Sequence, residues 1–125
     1  MPANDTLERF IAMVERNAHA EAIEEFYAEN ASLTENQGIP RVGRGLNAAR
    51  ERALMERVRS VSSECVRPVF VHGEFVVIRW IFQFDWLDGT VTRMEELAYQ
   101  RWEGEKIAEE TFFYDPVQRA PISAA

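Results

Sequence analysis

The chain has 125 residues, 46% of them hydrophobic, and a formal net charge of −7. That length and apolar content fit a single domain over residues 1–125 with a real core, and the negative balance argues against phosphate backbones and anionic membrane surfaces, both of which call for a basic face. No nucleic-acid and no membrane partner is therefore expected.

From Met1 to Leu7 no basic run precedes an apolar one, and no segment approaches the roughly 20 apolar residues of a membrane helix, so a soluble, cytoplasmic protein is expected. From Asp5 the pattern is helical: Leu7, Phe10, Ile11 and Val14 share a face, with Asp5 and Glu8 spaced as N-cap and third helical residue. A second apolar set, Ala22, Ile23, Phe26 and Tyr27, lies roughly 140° round the wheel from the first, at about 100° per residue. The phases disagree, which predicts a break between Asn17 and Ala20. Ala31 to Glu35 alternates as a short strand, and Gly38, Pro40, Gly43 and Gly45 mark the loop after it. Leu46, Ala49, Ala53, Leu54 and Val58 then predict a third helix.

The second half is punctuated by three X-Gly turns, His72-Gly73, Asp88-Gly89 and Glu103-Gly104, which predict a four-stranded antiparallel meander over Val61 to Val71, Glu74 to Leu87, Thr90 to Trp102 and Glu105 to Tyr114. Arg67-Pro68 places a break or an exposed edge in the first of these strands. In the second, Val76, Ile78, Trp80, Phe82, Phe84 and Trp86 share a core face. Phe75, Val77 and Ile81 on the opposite face are more apolar than a solvated sheet needs, and a second copy of the chain is the simplest cover. Cys65 is the single cysteine and reads as a small packing residue.

Two carboxylate doublets, Glu95-Glu96 and Glu109-Glu110, carry a geometric consequence. Neighbours on a strand point to opposite faces, so one acid of each doublet must face the helices. With an even loop at Glu103-Gly104, Glu96, Ala98, Gln100 and Trp102 share a face with Ile107, Glu109, Thr111 and Phe113. Glu95, Leu97, Tyr99 and Arg101 then share the other with Ala108, Glu110, Phe112 and Tyr114; a bulge would swap these sets. An inward acid is either part of a polar pocket or paired with Arg79, Arg93 or Arg101.

The order of elements, with the run from Phe26 through Tyr27, Glu29, Asn30 and Leu33 to Glu35, then Pro40, Gly43-Arg44 and the closing Phe112-Phe113-Tyr114-Asp115, resembles the nuclear transport factor 2-like superfamily, above all its small SnoaL-like and ketosteroid isomerase-like proteins. The resemblance implies an α+β cone: three N-terminal helices on a strongly curved antiparallel sheet, dimeric through the sheet's outer face, holding a small hydrophobic, carbonyl-bearing molecule. It places Glu35 where the isomerase keeps its general base, a role that needs a partly desolvated carboxylate; the other reading is a solvated charge in a polar stretch. The isomerase's two oxyanion donors, a tyrosine and a protonated aspartate, align with Ile11 and Ala98, neither of which can donate a hydrogen bond. Tyr27, Tyr99, Tyr114 and Trp80 are the candidate substitutes. Glu35, Tyr27 and Glu96 are thus the candidate catalytic residues, with Trp80, Phe82, Tyr99, Phe113 and Tyr114 as candidate substrate contacts. Arg41 and Arg44 flank the loop after Glu35 and could hold an anionic group. His19 and His72 read as exposed turn residues, and no metal or cofactor is assigned. The activity implied is proton transfer in an isomerase or cyclase; the competing reading is a non-catalytic binding or dimerisation module.

Overall fold

The computed structural model describes residues 2–123. Three helices, α1 (Asn4–Glu15), α2 (His19–Phe26) and α3 (Arg44–Met55), precede the long strands β3 (Val58–His72), β4 (Phe75–Trp86), β5 (Thr90–Glu103) and β6 (Lys106–Phe113). Two further strands, β1 (Tyr27–Glu35) and β2 (Arg41–Val42), lie between α2 and α3, and the chain continues through a 3-10 turn (Pro116–Arg119) to β7 (Ile122–Ser123). The result is an α+β fold with one open, curved, mostly antiparallel sheet in the order β2-β1-β6-β5-β4-β3, with β7 paired to β5.

The three hairpins of the meander form where the X-Gly turns predict them, and the turn residues Gly73 and Gly104 sit at φ +60 and +61, a region that costs any residue with a Cβ. The predicted helix break also holds. α1 ends at Glu15, Asn17 takes φ +69, and α2 starts anew at His19, so both apolar faces reach the same core. Leu7, Phe10, Ile11, Val14, Ile23 and Phe26 from the helices pack there on Val76, Ile78, Trp80, Ala98, Trp102 and Ile107 from the sheet.

Several expectations need correction. The sheet is not wholly antiparallel: β1 starts four residues earlier than expected, at Tyr27, and runs parallel to β6. Asp5 is not an N-cap; α1 begins before it and Asp5 pairs with Arg9 at 3.4 Å. α3 turns Asn47 and Ala48 inward and leaves Leu46 53% exposed, while Val58 already belongs to β3. Asn47 decides that orientation, because its side-chain amide holds the carbonyls of Arg41 and Gly43 at 3.1 and 2.8 Å, a polar anchor that hydrophobic periodicity does not register. Of the two irregularities in β3, the one between Val66 and Phe70 surrounds Arg67-Pro68 on an edge strand, as the missing amide hydrogen of proline requires.

The correction that matters most for function is one residue wide. Trp102 pairs with Ile107, but Arg101 pairs with Glu109, so Ala108 is an extra residue on β6. Both Trp102 and Ile107 are fully buried, and putting both inside while closing the Gly104 turn leaves Ala108 to bulge. Beyond the bulge the parity reverses. Glu110, Phe112 and Tyr114 share the inner face with Glu96, Ala98 and Gln100, while Glu109, Thr111 and Phe113 turn outward.

Candidate active site

The inner face of the sheet and the helices enclose a cavity of about 1060 Å³. Its floor is the aromatic run of β4, in which Trp80 and Phe82 stack at 5.5 Å and Phe84 and Trp86 stack at 5.5 Å. Its walls bring Tyr27 and Glu35 from β1, Glu51 from α3, Glu96 from β5, Glu110 and Phe112 from β6, and Tyr114 beyond β6.

Glu110 is 2% exposed and sits in a closed chain of hydrogen bonds. The Tyr27 hydroxyl donates to Glu110 Oε1, Gln100 Nε2 donates to Glu110 Oε2 at 2.6 Å, and Trp102 Nε1 donates to Gln100 Oε1 at 2.9 Å. Desolvation drives the Glu110 carboxyl up to about 7, against the lowering effect of the Gln100 and Tyr27 hydrogen bonds. Burial, together with the Glu110 carboxylate it faces, pushes the Tyr27 hydroxyl well above its ordinary value, so it stays a donor.

Glu96 lies on the same face, next to Trp80 across the β4–β5 ladder. Among the described residues its side chain makes no hydrogen bond and no ion pair. Desolvation, then repulsion from Glu110, Glu35 and Glu51, raises it to about 8. An unpartnered carboxyl of that kind is poised to exchange its proton near neutral pH.

Glu35 is a different kind of group. Burial raises its proton affinity, but hydrogen bonds from the Tyr114 hydroxyl and from Arg41, with the positive charges of Arg41 and Arg119, outweigh this and hold its pKa below the usual carboxylate range. The contacts are short, 2.6 Å from Tyr114 Oη and 2.8 Å from Arg41 Nη2. Glu35 thus lines the cavity as a fixed anion. The Tyr114 hydroxyl, raised to about 12 by desolvation and by Glu35, remains protonated.

Of the residues singled out in the sequence, Glu35, Tyr27, Glu96, Trp80, Phe82 and Tyr114 meet in the cavity, and Tyr99 and Phe113 do not. The last two lie on the outer face, 46% and 40% exposed, Phe113 because of the Ala108 bulge. Two of the three arginines expected to pair an inward acid pair outward ones instead: Arg79 meets Glu95, and Arg101 meets Glu109 at 2.7 Å. Arg41 holds Glu35, and Arg44 donates to the Tyr27 carbonyl oxygen at 3.3 Å rather than facing the cavity. Ile11 and Ala98 are fully buried in the core, and the hydroxyl hydrogens of Tyr27 and Tyr114 already go to Glu110 and Glu35, which leaves the protonated Glu96 carboxyl as a donor to the cavity. His19 is not the exposed turn residue its position suggests: its side chain is 10% exposed and lines the cavity. No sequence spacing joins it to Ser63 or Glu51, which reach it only through the fold. Cys65 is buried in the core, and among the described residues no cluster of His, Cys, Asp and Glu could hold a metal ion. No helix among them is long and apolar enough to cross a membrane.

No protein-family model matches the sequence, and no curated protein matches it. Solved structures do. A protein with a ketosteroid isomerase-like fold from Catenulispora acidiphila, solved with trimethylamine, superposes with a TM-score of 0.74 at 14% identity over 91% of this chain and 88% of that one. A protein described as a SnoaL-like polyketide cyclase from Mesorhizobium loti gives 0.72 at 21% identity over 88% and 97%. An LEH-like epoxide hydrolase from M. tuberculosis gives 0.74 at 11% identity over 91% and 83%.

Proposed function

We propose that this chain, which has the NTF2-like fold, binds a small carbonyl-bearing molecule in the cavity and moves a proton on it without a cofactor, as in an isomerisation or an aldol cyclisation. The observation that carries the reading is Glu96: an unpartnered carboxyl, raised to about 8, on the wall of a cavity built over an aromatic floor. Its two protonation states lie close in energy at neutral pH, so it can give a proton to a ligand oxygen and take one from carbon. The Tyr27–Glu110 pair supplies a second polar wall of the cavity. Glu35 keeps its charge throughout and orients Tyr114.

Solvent-deuterium exchange into enolisable ketones, followed by mass spectrometry, tests this without knowledge of the natural substrate. Glu96→Gln is expected to slow the catalysed exchange by about 10²–10⁴-fold, the usual worth of a general acid or base, and Glu35→Gln by less than about 10-fold. Equal exchange by wild type and Glu96→Gln would remove Glu96 from the chemistry.

A second reading, a non-catalytic module that dimerises, is favoured by the outer face of the sheet. Phe75, Leu97, Tyr99 and Phe113 are each 40–46% exposed there, with Phe75 and Tyr99 in ring contact at 5.8 Å, and the ion pairs Arg79–Glu95 and Arg101–Glu109 flank them. We infer a homodimer through this face, in a cytoplasmic setting that suits the unpaired Cys65. Sedimentation equilibrium is expected to give a dimer that Leu97→Arg converts to monomer; a wild-type monomer at micromolar concentration would refute the interface.

A further inference from the structure

The cavity wall carries one more titratable side chain, which the roles above leave unused. His19 Nε2 lies 2.8 Å from Ser63 Oγ, and the Ser63 hydroxyl donates to Asn17 Oδ1 at 2.8 Å. A hydroxyl has a single hydrogen to give. With that hydrogen on the Asn17 oxygen, Ser63 can only accept from the ring, so Nε2 bears the hydrogen and the neutral imidazole keeps its lone pair on Nδ1. The ring is held edge-on to Phe82 with centroids 5.3 Å apart. On the Nδ1 side the nearest charged atom is Glu51 Oε2 at 3.9 Å, too far for a hydrogen bond, and both residues line the cavity.

Strand pairing fixes where His19 stands relative to Glu96. Ser63, which anchors the ring, is the β3 partner of Phe82, and Glu96 is the β5 partner of Trp80. Since Trp80 and Phe82 stack on each other, His19 and Glu96 flank opposite sides of one aromatic floor. A flat molecule resting on that floor would meet a lone pair on one edge and a carboxyl on the other.

We infer that His19 is the second proton-transfer residue of the cavity, acting through Nδ1 on a flat, enolisable carbonyl compound whose opposite edge meets Glu96. This rests on the proton-transfer reading for its chemistry. A ligand C–H bond breaks and its proton goes to Nδ1. The electron pair becomes the C=C of an enol, and the carbonyl oxygen takes the Glu96 proton, leaving imidazolium and carboxylate. In a carbonyl compound with a β,γ C=C the product is a dienol; return of the oxygen proton to Glu96 and of the Nδ1 proton to the γ carbon restores both groups and moves the double bond into conjugation, with no oxidant or reductant. Ser63, whose hydroxyl is committed to Asn17, is a positioning residue and not a nucleophile.

Long-range ¹⁵N–¹H spectra of the full chain, labelled in its two histidines, read this directly, with exposed His72 as the internal control. In the neutral ring of the ligand-free protein, His19 Nδ1 is expected to show the pyridine-type shift and Nε2 the pyrrole-type shift. Saturation with 2-naphthol, a flat hydroxyl donor, is expected to move Nδ1 upfield and leave His72 in place. The same response is expected in Glu96→Gln, so a failure of the Glu96 role and a failure of this one give different results. A hydrogen found on Nδ1 would overturn the inference, since Ser63 would then donate to Nε2 in a Ser-His-Glu relay. Absence of 2-naphthol binding, or binding without a response at Nδ1, would overturn it equally. With any ketone that exchanges, His19→Gln is expected to lower the rate at least about 10²-fold.

Discussion

Replacing Glu110 with alanine is expected to destabilise the fold by roughly 2–5 kcal/mol, read as a fall in the urea midpoint at pH 5 with an unchanged slope. Two donors lose their acceptor at once. The Tyr27 hydroxyl and Gln100 Nε2 both point at Glu110 from fully buried positions, and each buried donor left without a partner costs about 1–3 kcal/mol. The void left by the side chain adds to this. Glu110→Gln is expected to lose less than half as much, because an amide can accept from Gln100 and donate to the Tyr27 oxygen. A loss below about 1 kcal/mol for the alanine variant would mean that water reaches both donors and that the chain from Trp102 to Tyr27 is not closed.

Stability is also expected to fall as pH rises from about 5 to about 8. Glu110 and Glu96 have folded-state pKa values of about 7 and about 8, against 4.5 for an ordinary glutamate. Between these limits the folded chain holds protons that the unfolded chain has released, so their contribution is fully present below 4.5 and is lost as pH passes through the two raised values. At about 1.4 kcal/mol per pKa unit, the roughly 2 units of Glu110 and roughly 3 units of Glu96 lost between about pH 5 and about pH 8 amount to several kcal/mol, on the order of 7. Glu35, Glu8 and Glu105 have lowered values and act in the opposite sense, stabilising above 4.5 and losing that contribution as pH falls below it. The optimum therefore lies near pH 5. Glu96→Gln is expected to match wild type at pH 5 and to exceed it at pH 8.5 in urea titrations. Identical pH profiles would show that Glu96 is not held protonated by the fold.

Much of the scaffold was legible in the sequence. The alternation Val76, Ile78, Trp80, Phe82 along β4 fixes a core face because strand side chains alternate strictly, and glycines at the three reversals leave the chain little choice but hairpins. The phase jump between Val14 and Ala22 likewise locates the helix break. The family resemblance drew attention to Glu35 and gave the fold, but it did not register the two groups that hold the Glu35 carboxylate, Arg41 and Tyr114. Those partners sit on the next strand and 79 residues away, and spacing along the chain shows neither.

By itself, then, the sequence determined the order of the three helices, the short strand before the third helix and the four long strands, the faces of the uninterrupted strands, and the presence of one inward acid in each glutamate doublet. Only the tertiary structure decided which acid. Face assignment is a matter of parity, and a single extra residue inverts it. Whether Ala108 bulges depends on burying Trp102 and Ile107 together, a packing condition between strands that no local pattern encodes. Proton affinity is decided the same way. Glu35, Glu96 and Glu110 are chemically identical side chains, and they titrate differently because one meets an arginine, one meets no partner among the described residues, and one is sealed among donors.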